Sequence, residues 1–300
     1  MSGELREWLH LVLRWLHVVA GAFWIGQTAF FSWLDAQSAR EDARGTVVGD
    51  DVDGAADRDV WMVHSGGFYR VERLLGPGHV PGRLHWFKWE AAASWLSGFF
   101  LLNLVYYHGG VMVDSQSALG PIAASTVGVA TLVVGWAVYD ALWVSPLARS
   151  EGAATVVSLA VLAVTAWGLT QVMSGRAAYI HVGSLFGTVM AANVWMRILP
   201  AQRRLVHAIE RGGPLDEALA TRAKQRSRHN SFLTIPLVFL MLSSHFPTTS
   251  YGHRWNWALL WVFLLGGFAA RAAMNASFGD GKHDPLRSLA FWRRGPRGRL

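Results

Sequence analysis

The chain contains no cysteine. That absence excludes a disulfide-stapled scaffold, a cysteine nucleophile, thiolate-held zinc or iron–sulfur centres, and covalent c-type haem, which needs a Cys-x-x-Cys-His attachment. Any redox centre must be held by histidine or belong to a mobile partner. Charge is scarce too: Asp, Glu, Lys and Arg make up 16% of the 300 residues, against about a quarter in soluble domains. In their place stand 52% apolar residues and 16 Trp. Uncharged apolar runs of about 20 residues recur, each long enough to cross a hydrocarbon core of about 30 Å. The expected fold is therefore all-α, a polytopic transmembrane helix bundle in the inner (cytoplasmic) membrane.

The 27 Lys and Arg exceed the 20 Asp and Glu, but they lie between the apolar runs, so the partner they indicate is the lipid bilayer and no nucleic acid. The runs predict seven helices over 9–33, 86–108, 120–144, 152–173, 178–199, 230–247 and 255–275. The first is not a cleavable signal, since Arg14 and His17 lie inside it and no small-x-small site follows. Basic residues cluster in alternate connections, with Arg203, Arg204, Arg211, Arg222, Lys224, Arg226 and Arg228 in one of them. By the positive-inside rule the amino terminus lies outside and the carboxyl terminus in the cytoplasm. Residues 1–275 form the bundle and 276–300 a basic cytoplasmic tail. The acidic, Gly- and Ala-rich stretch 34–60 is expected to be a mobile loop, residues 61–76 an interfacial segment, and residues 201–228 a cytoplasmic amphipathic helix.

An ionisable group within the lipid costs several kcal/mol unless it is paired or ligated, so the polar residues of the runs carry the functional information. In helix one Arg14, His17, Gly21, Trp24 and Thr28 share a face, with Gln27 close by. Gly21 would leave room for a flat macrocycle. In helix five His181, Ser184, Thr188 and Trp195 share a face, while Gly183, Gly187 and Ala191 form a small-residue stripe suited to close packing. Helix six presents Asn230, Thr234, Met241 and His245 around Pro236. His17, His181 and His245 fall in the outer half, so two of the three are expected to ligate one haem b, with His85 and His229 at the inner boundary as a possible second pair. A copper or zinc site, or histidines merely bonded to carbonyls, are the alternatives. Helix two opens Leu84-His85-Trp86-Phe87-Lys88-Trp89-Glu90, bringing two opposite charges to the edge of the lipid. An aromatic belt with a snorkelling lysine explains the tryptophans; Glu90, followed by a long uncharged run, points to function.

Several blocks together carry a resemblance: Arg14-Trp15-Leu16-His17 with Trp24-Ile25-Gly26, His64-Ser65-Gly66-Gly67-Phe68-Tyr69, the Leu84–Glu90 segment, Ser94-Trp95-Leu96-Ser97-Gly98, His181-Val182-Gly183 with Gly187-Thr188 and Ala192-Asn193-Val194, and Arg228-His229-Asn230 with Leu233-Thr234-Ile235-Pro236. Over residues 8–250 the chain resembles the membrane domain of the membrane-bound, flavin-independent urate hydroxylases. The resemblance implies oxidation of urate to 5-hydroxyisourate in purine breakdown, with electrons passed to a cytochrome c. Family members typically continue into a cytochrome c domain that is not seen here, so a separate cytochrome c is the expected acceptor.

Urate is a planar oxopurine anion, and its site needs a cation, amide partners and aromatic faces. Arg14, Gln27, Trp24, Trp86, Asn193 and Asn230 are the expected substrate-binding groups. Lys88, Glu90 and His229 are the expected catalytic ones, with Glu90 or His229 as base. Two further classes fit the same sequence: a non-enzymatic b-type cytochrome relaying electrons, and a transporter or metal-handling membrane protein.

Overall fold

The computed structural model describes residues 2–45, 60–71, 84–115 and 117–278. Helix α1, Gly3–Gly45, is 43 residues long and at about 1.5 Å per residue extends roughly 65 Å, twice the hydrocarbon thickness. Residues 34–45 thus continue the helix and are not a loop. They are largely Ala, Gln, Arg and Glu with no proline, so the intrinsic preference of the segment is helical. The rest of the acidic stretch, residues 46–59, lies outside the described residues, as do residues 72–76 and the tail from 279.

The expected interfacial segment is a β-hairpin. Strands β1 (Val60–His64) and β2 (Gly67–Val71) pair antiparallel, with Val60 opposite Val71 and His64 opposite Gly67. Ser65 and Gly66 both take positive φ, 50° and 78°, the conformation a two-residue turn needs to match the twist of its strands.

Helix α2, Trp89–Leu102, continues through a π-helical turn, Asn103–Tyr107. It begins later than the apolar run, leaving His85, Trp86 and Phe87 ahead of it. Helices α3 (Pro121–Val144) and α4 (Glu151–Val172) form a hairpin across a short 3-10 turn, Pro146–Arg149. Proline sits in the first turn of α3, where its missing N–H costs nothing, and Ser150 caps α4 by accepting from Ala153 N. Helix α5 (Gly175–Ala192), capped by Ser174, runs through a second π turn (Asn193–Ile198) into α6 (Leu199–Glu210). Helix α7 is Glu217–Ser243 and α8 is Asn256–Phe278. The predicted amphipathic helix 201–228 is therefore two pieces: α6 prolongs α5, the chain turns at 211–216, and α7 carries straight on into the apolar run.

With α5 and α6 as one rod, the described residues form seven helical rods, the number expected. Five of them are long and apolar enough to cross a membrane: residues 3–39, α3, α4, residues 175–210 and α8. The rod of α2 is shorter, and α7 places its charges in its first half. Helix α5 occupies the centre, packed on α2, α3, α4 and α7, and its Tyr179, Val182, Leu185 and Phe186 are buried with Leu132, Leu169, Leu240 and Leu264. Close approach follows glycine: a Cβ on Gly183 would lie 2.8 Å from Met241 Cε, and one on Gly267 of α8 would lie 2.9 Å from the backbone of Pro236 in α7.

Candidate functional site

A cavity of about 920 Å³ opens between the 24–36 stretch of α1, the entry to α2, the 224–232 stretch of α7 and the last turns of α8. Its walls are Trp24, Gln27, Thr28 and Ser32 of α1, residues 85–87, residues of the second π turn, and Asn230 and Ser231 of α7. Five of the expected residues thus converge from three distant stretches: Trp24, Gln27, His85, Trp86 and Asn230. Trp24 and Trp86 back onto a small core of Ala91, Val194 and Leu199. The 85–87 segment is pinned to α1 by rings, His85 on Phe87 at 4.5 Å and Phe87 on Phe31 at 4.9 Å. Asp35 and Lys224, both exposed, stand at the mouth, and Arg228, paired with Glu151 at 3.0 Å, lines the wall.

Asn230 is held by its neighbours. Its Nδ2 donates to the Met190 carbonyl at 2.9 Å, and its Oδ1 accepts from Asn193 Nδ2 at 2.9 Å. Asn193 does not line the cavity. It is fully buried behind Asn230 and also donates to Tyr139 Oη at 3.1 Å, which is hydrogen-bonded to His229 Nδ1 at 2.7 Å. His229 therefore lies on the far side of α7 and lines a separate apolar cavity of about 310 Å³ with Tyr139 and Trp143. His85 and His229 face different cavities and are no pair for a second haem.

The charged entry to α2 also stands apart. Lys88 lies over the rings of Trp89 and Trp195 at 5.1 and 5.8 Å. Neither Lys88 nor Glu90 is among the cavity's lining residues, and Arg14 is exposed on the outside of α1.

The histidines expected to hold haem separate in the fold. His17 turns toward α2, where its Nδ1 meets the Ser94 carbonyl at 2.9 Å and Ser97 Oγ at 3.3 Å. Its ring fills the space over Gly98, and the room beside Gly21 is taken by Ser94. His181 turns toward α3 and has both nitrogens engaged, Nδ1 with the Ala177 carbonyl at 2.7 Å and Nε2 with Tyr107 Oη at 3.1 Å. Its ring lies against Gly128. Ser94 and Tyr107 are 13 residues apart along the α2 rod, on the order of 20 Å of helix, so the two imidazoles occupy different interfaces at different levels. His245 does not point inward: it lies beyond the last turn of α7 and is exposed. His17 has the orientation of an axial ligand, one nitrogen held by an acceptor and Nε2 without a hydrogen bond among the described residues, but no second histidine meets it. The arrangement does not fit a bis-histidine haem. Nor do three or more His, Asp or Glu side chains gather as metal ligands among the described residues.

Two buried charges have no counterpart in the expectations above. Asp140 of α3 accepts from Arg197 Nε at 2.9 Å, from Arg197 Nη2, and from Arg226 Nη2 at 2.9 Å, tying the second π turn and α7 to α3. Arg271 of α8, 1% exposed, donates to Ser231 and Ser32. The signal for both is plain in retrospect: each is the single charge in its apolar run.

A family model described as urate oxidase N-terminal matches residues 3–290. No curated protein and no solved structure matches the chain. The family match covers every element that builds the polar cavity, and the chain belongs to the urate oxidase N-terminal family.

Proposed function

We propose that the chain oxidises urate to 5-hydroxyisourate in the polar cavity, with water supplying the new hydroxyl and a separate cytochrome c taking the electrons. The balance is urate plus water giving 5-hydroxyisourate, two electrons and two protons. One observation carries the placement: the cavity of about 920 Å³ collects two indole faces, two amides and basic side chains from stretches far apart in the chain. A planar anion needs that combination. Trp24 and Trp86 bracket the ring, Gln27 and Asn230 read its amide-like edges, and Lys224 and Arg228 attract its charge. Asp35 and His85 are the ionisable groups of the lining that accept the protons water and urate release. Lys88 and Glu90 adjoin the 85–87 wall in sequence, and Lys88 lies over Trp89 and Trp195. His229 holds Tyr139.

The test uses the full chain, purified in lipid nanodiscs, with urate and ferricytochrome c. Loss of urate absorbance matched by two equivalents of reduced cytochrome supports the reading. Gln27→Ala and Asn230→Ala should raise KM with the protein still folded. A wild-type chain that neither binds nor oxidises urate with this or any artificial acceptor overturns it.

A further inference from the structure

Two hydroxyls in the lining of the polar cavity stand in front of a buried cation. Ser32 and Ser231 line the cavity from α1 and α7. Behind them Arg271 of α8 is 1% exposed. Its Nε donates to Ser231 Oγ at 2.9 Å, and its Nη2 donates to Ser231 Oγ at 2.5 Å and to Ser32 Oγ at 2.8 Å. Among the described residues no carboxylate pairs with Arg271, in contrast with Arg197, Arg226 and Arg228, which each have one. A guanidinium buried without an acid costs several kcal/mol, and two serine oxygens offset only part of that.

The hydrogen-bond directions give the cation an outlet. Ser32 donates its own proton to the Thr28 carbonyl at 2.7 Å, so toward Arg271 and Ser231 it acts as an acceptor. Ser231 Oγ receives two N–H groups from Arg271, which occupies its lone pairs and leaves its O–H to be donated. Among the described residues its hydrogen-bond partner for that proton is Ser32 Oγ at 3.3 Å, at the long end for an O–H donor. Ser231 is only 6% exposed, yet it borders the cavity.

We propose that Arg271 and Ser231 form an anion-recognition device: the cation polarises the Ser231 hydroxyl, which donates to the anionic oxygen of an oxopurine at the cavity floor, the substrate in turn neutralising the buried charge. This rests on the cavity being the urate site. It assigns Arg271 as a positioning residue acting through Ser231, and it divides the labour of the cations, exposed Lys224 attracting the anion at the mouth and Arg271 selecting it at the floor. A neutral purine would leave the guanidinium uncompensated, so the device discriminates by charge.

The experiment measures equilibrium binding of urate and of xanthine in its neutral form to the full chain in nanodiscs, for wild type, Ser231→Ala, Arg271→Lys and Arg271→Gln. Ser231→Ala removes one small hydroxyl and keeps the cation. It should weaken urate binding by about tenfold or more, the size of a charge-assisted hydrogen bond, while neutral xanthine changes little. Arg271→Lys, which keeps the charge but loses the fork, should fall between. Equal loss for both purines would make the pair a packing feature and overturn the proposal, as would unchanged urate affinity in Ser231→Ala. Failure of Arg271→Gln to fold leaves the Ser231→Ala comparison to decide. Wild-type protein that binds neither purine would overturn the cavity reading itself, an outcome distinct from loss of selectivity.

Discussion

Single side chains do two kinds of work in this fold, facing the cavity or holding what faces it. Asn230 belongs to the first kind and Asn193 to the second, and their variants should differ accordingly. Asn230→Ala is expected to raise KM for urate about tenfold with a small loss of thermal stability, because one partner of a ligand hydrogen bond is lost at a cavity surface. Asn193→Leu strands Tyr139 and Asn230 together and should lower both the unfolding temperature and turnover. Asp140 is the larger structural risk. Asp140→Asn removes the charge that two arginines share and leaves Arg226 buried and uncompensated while Arg197 is partly in solvent, at a cost of about 3 kcal/mol; unfolding in detergent should show it as a large drop in transition temperature. His17 answers a different question. Since it meets no second imidazole, protein purified after haem-replete expression should give no low-spin bis-histidine spectrum by optical absorption. A Soret band lost in His17→Ala would show that α2 can move aside.

At the scale of elements, the bundle is assembled through glycine contacts and π turns. Helices α7 and α8 approach closely where Gly267 meets the backbone of Pro236. Backbone cannot repack as a flexible side chain can, so Gly267→Val should destabilise by about 2 kcal/mol through overpacking and disturb the cavity, whose walls include both helices. Gly187, where a Cβ would meet nothing within 4 Å, is the matched control and should accept Ala with little change in melting temperature. The two π turns differ in what they position. The one at Asn193–Ile198 aims Asn193 at Tyr139 and Asn230 while Arg197 reaches Asp140; the one at Asn103–Tyr107 brings Tyr107 to His181. The apolar runs marked these helices but not their π turns, because a one-residue insertion barely alters hydrophobic periodicity over so short a stretch.

The whole molecule has its polar cavity at the end where the chain is most basic. By the positive-inside rule that end is expected in the cytoplasm and the 109–115 and 248–253 connections outside. The lack of native cysteine makes a direct test simple: single cysteines at Gly110 and Gly213 in intact cells, probed with an impermeant maleimide, should label at Gly110 and stay protected at Gly213 until the membrane is opened. The reverse pattern would invert the bundle and place urate uptake on the other side.

Composition and the spacing of charges determined the class of the molecule: membrane-embedded, all-α, seven helices, its basic segments gathered in alternate connections. Those properties are sums over long stretches, and no tertiary contact is needed to read them. The convergence of Trp24, Gln27, Trp86 and Asn230 was anticipated as chemistry, since each is a polar or aromatic group in an otherwise apolar setting. Only the tertiary structure decided that Lys88 and Glu90 stand aside from the cavity, that His17 and His181 face different neighbours, and that Asp140, Arg226 and Arg271 are buried between helices. The physical reason is rotational. A helix has one sequence and a full circle of faces, and which face meets the cavity is set by the packing of its neighbours, here by where glycines let α2, α7 and α8 come close.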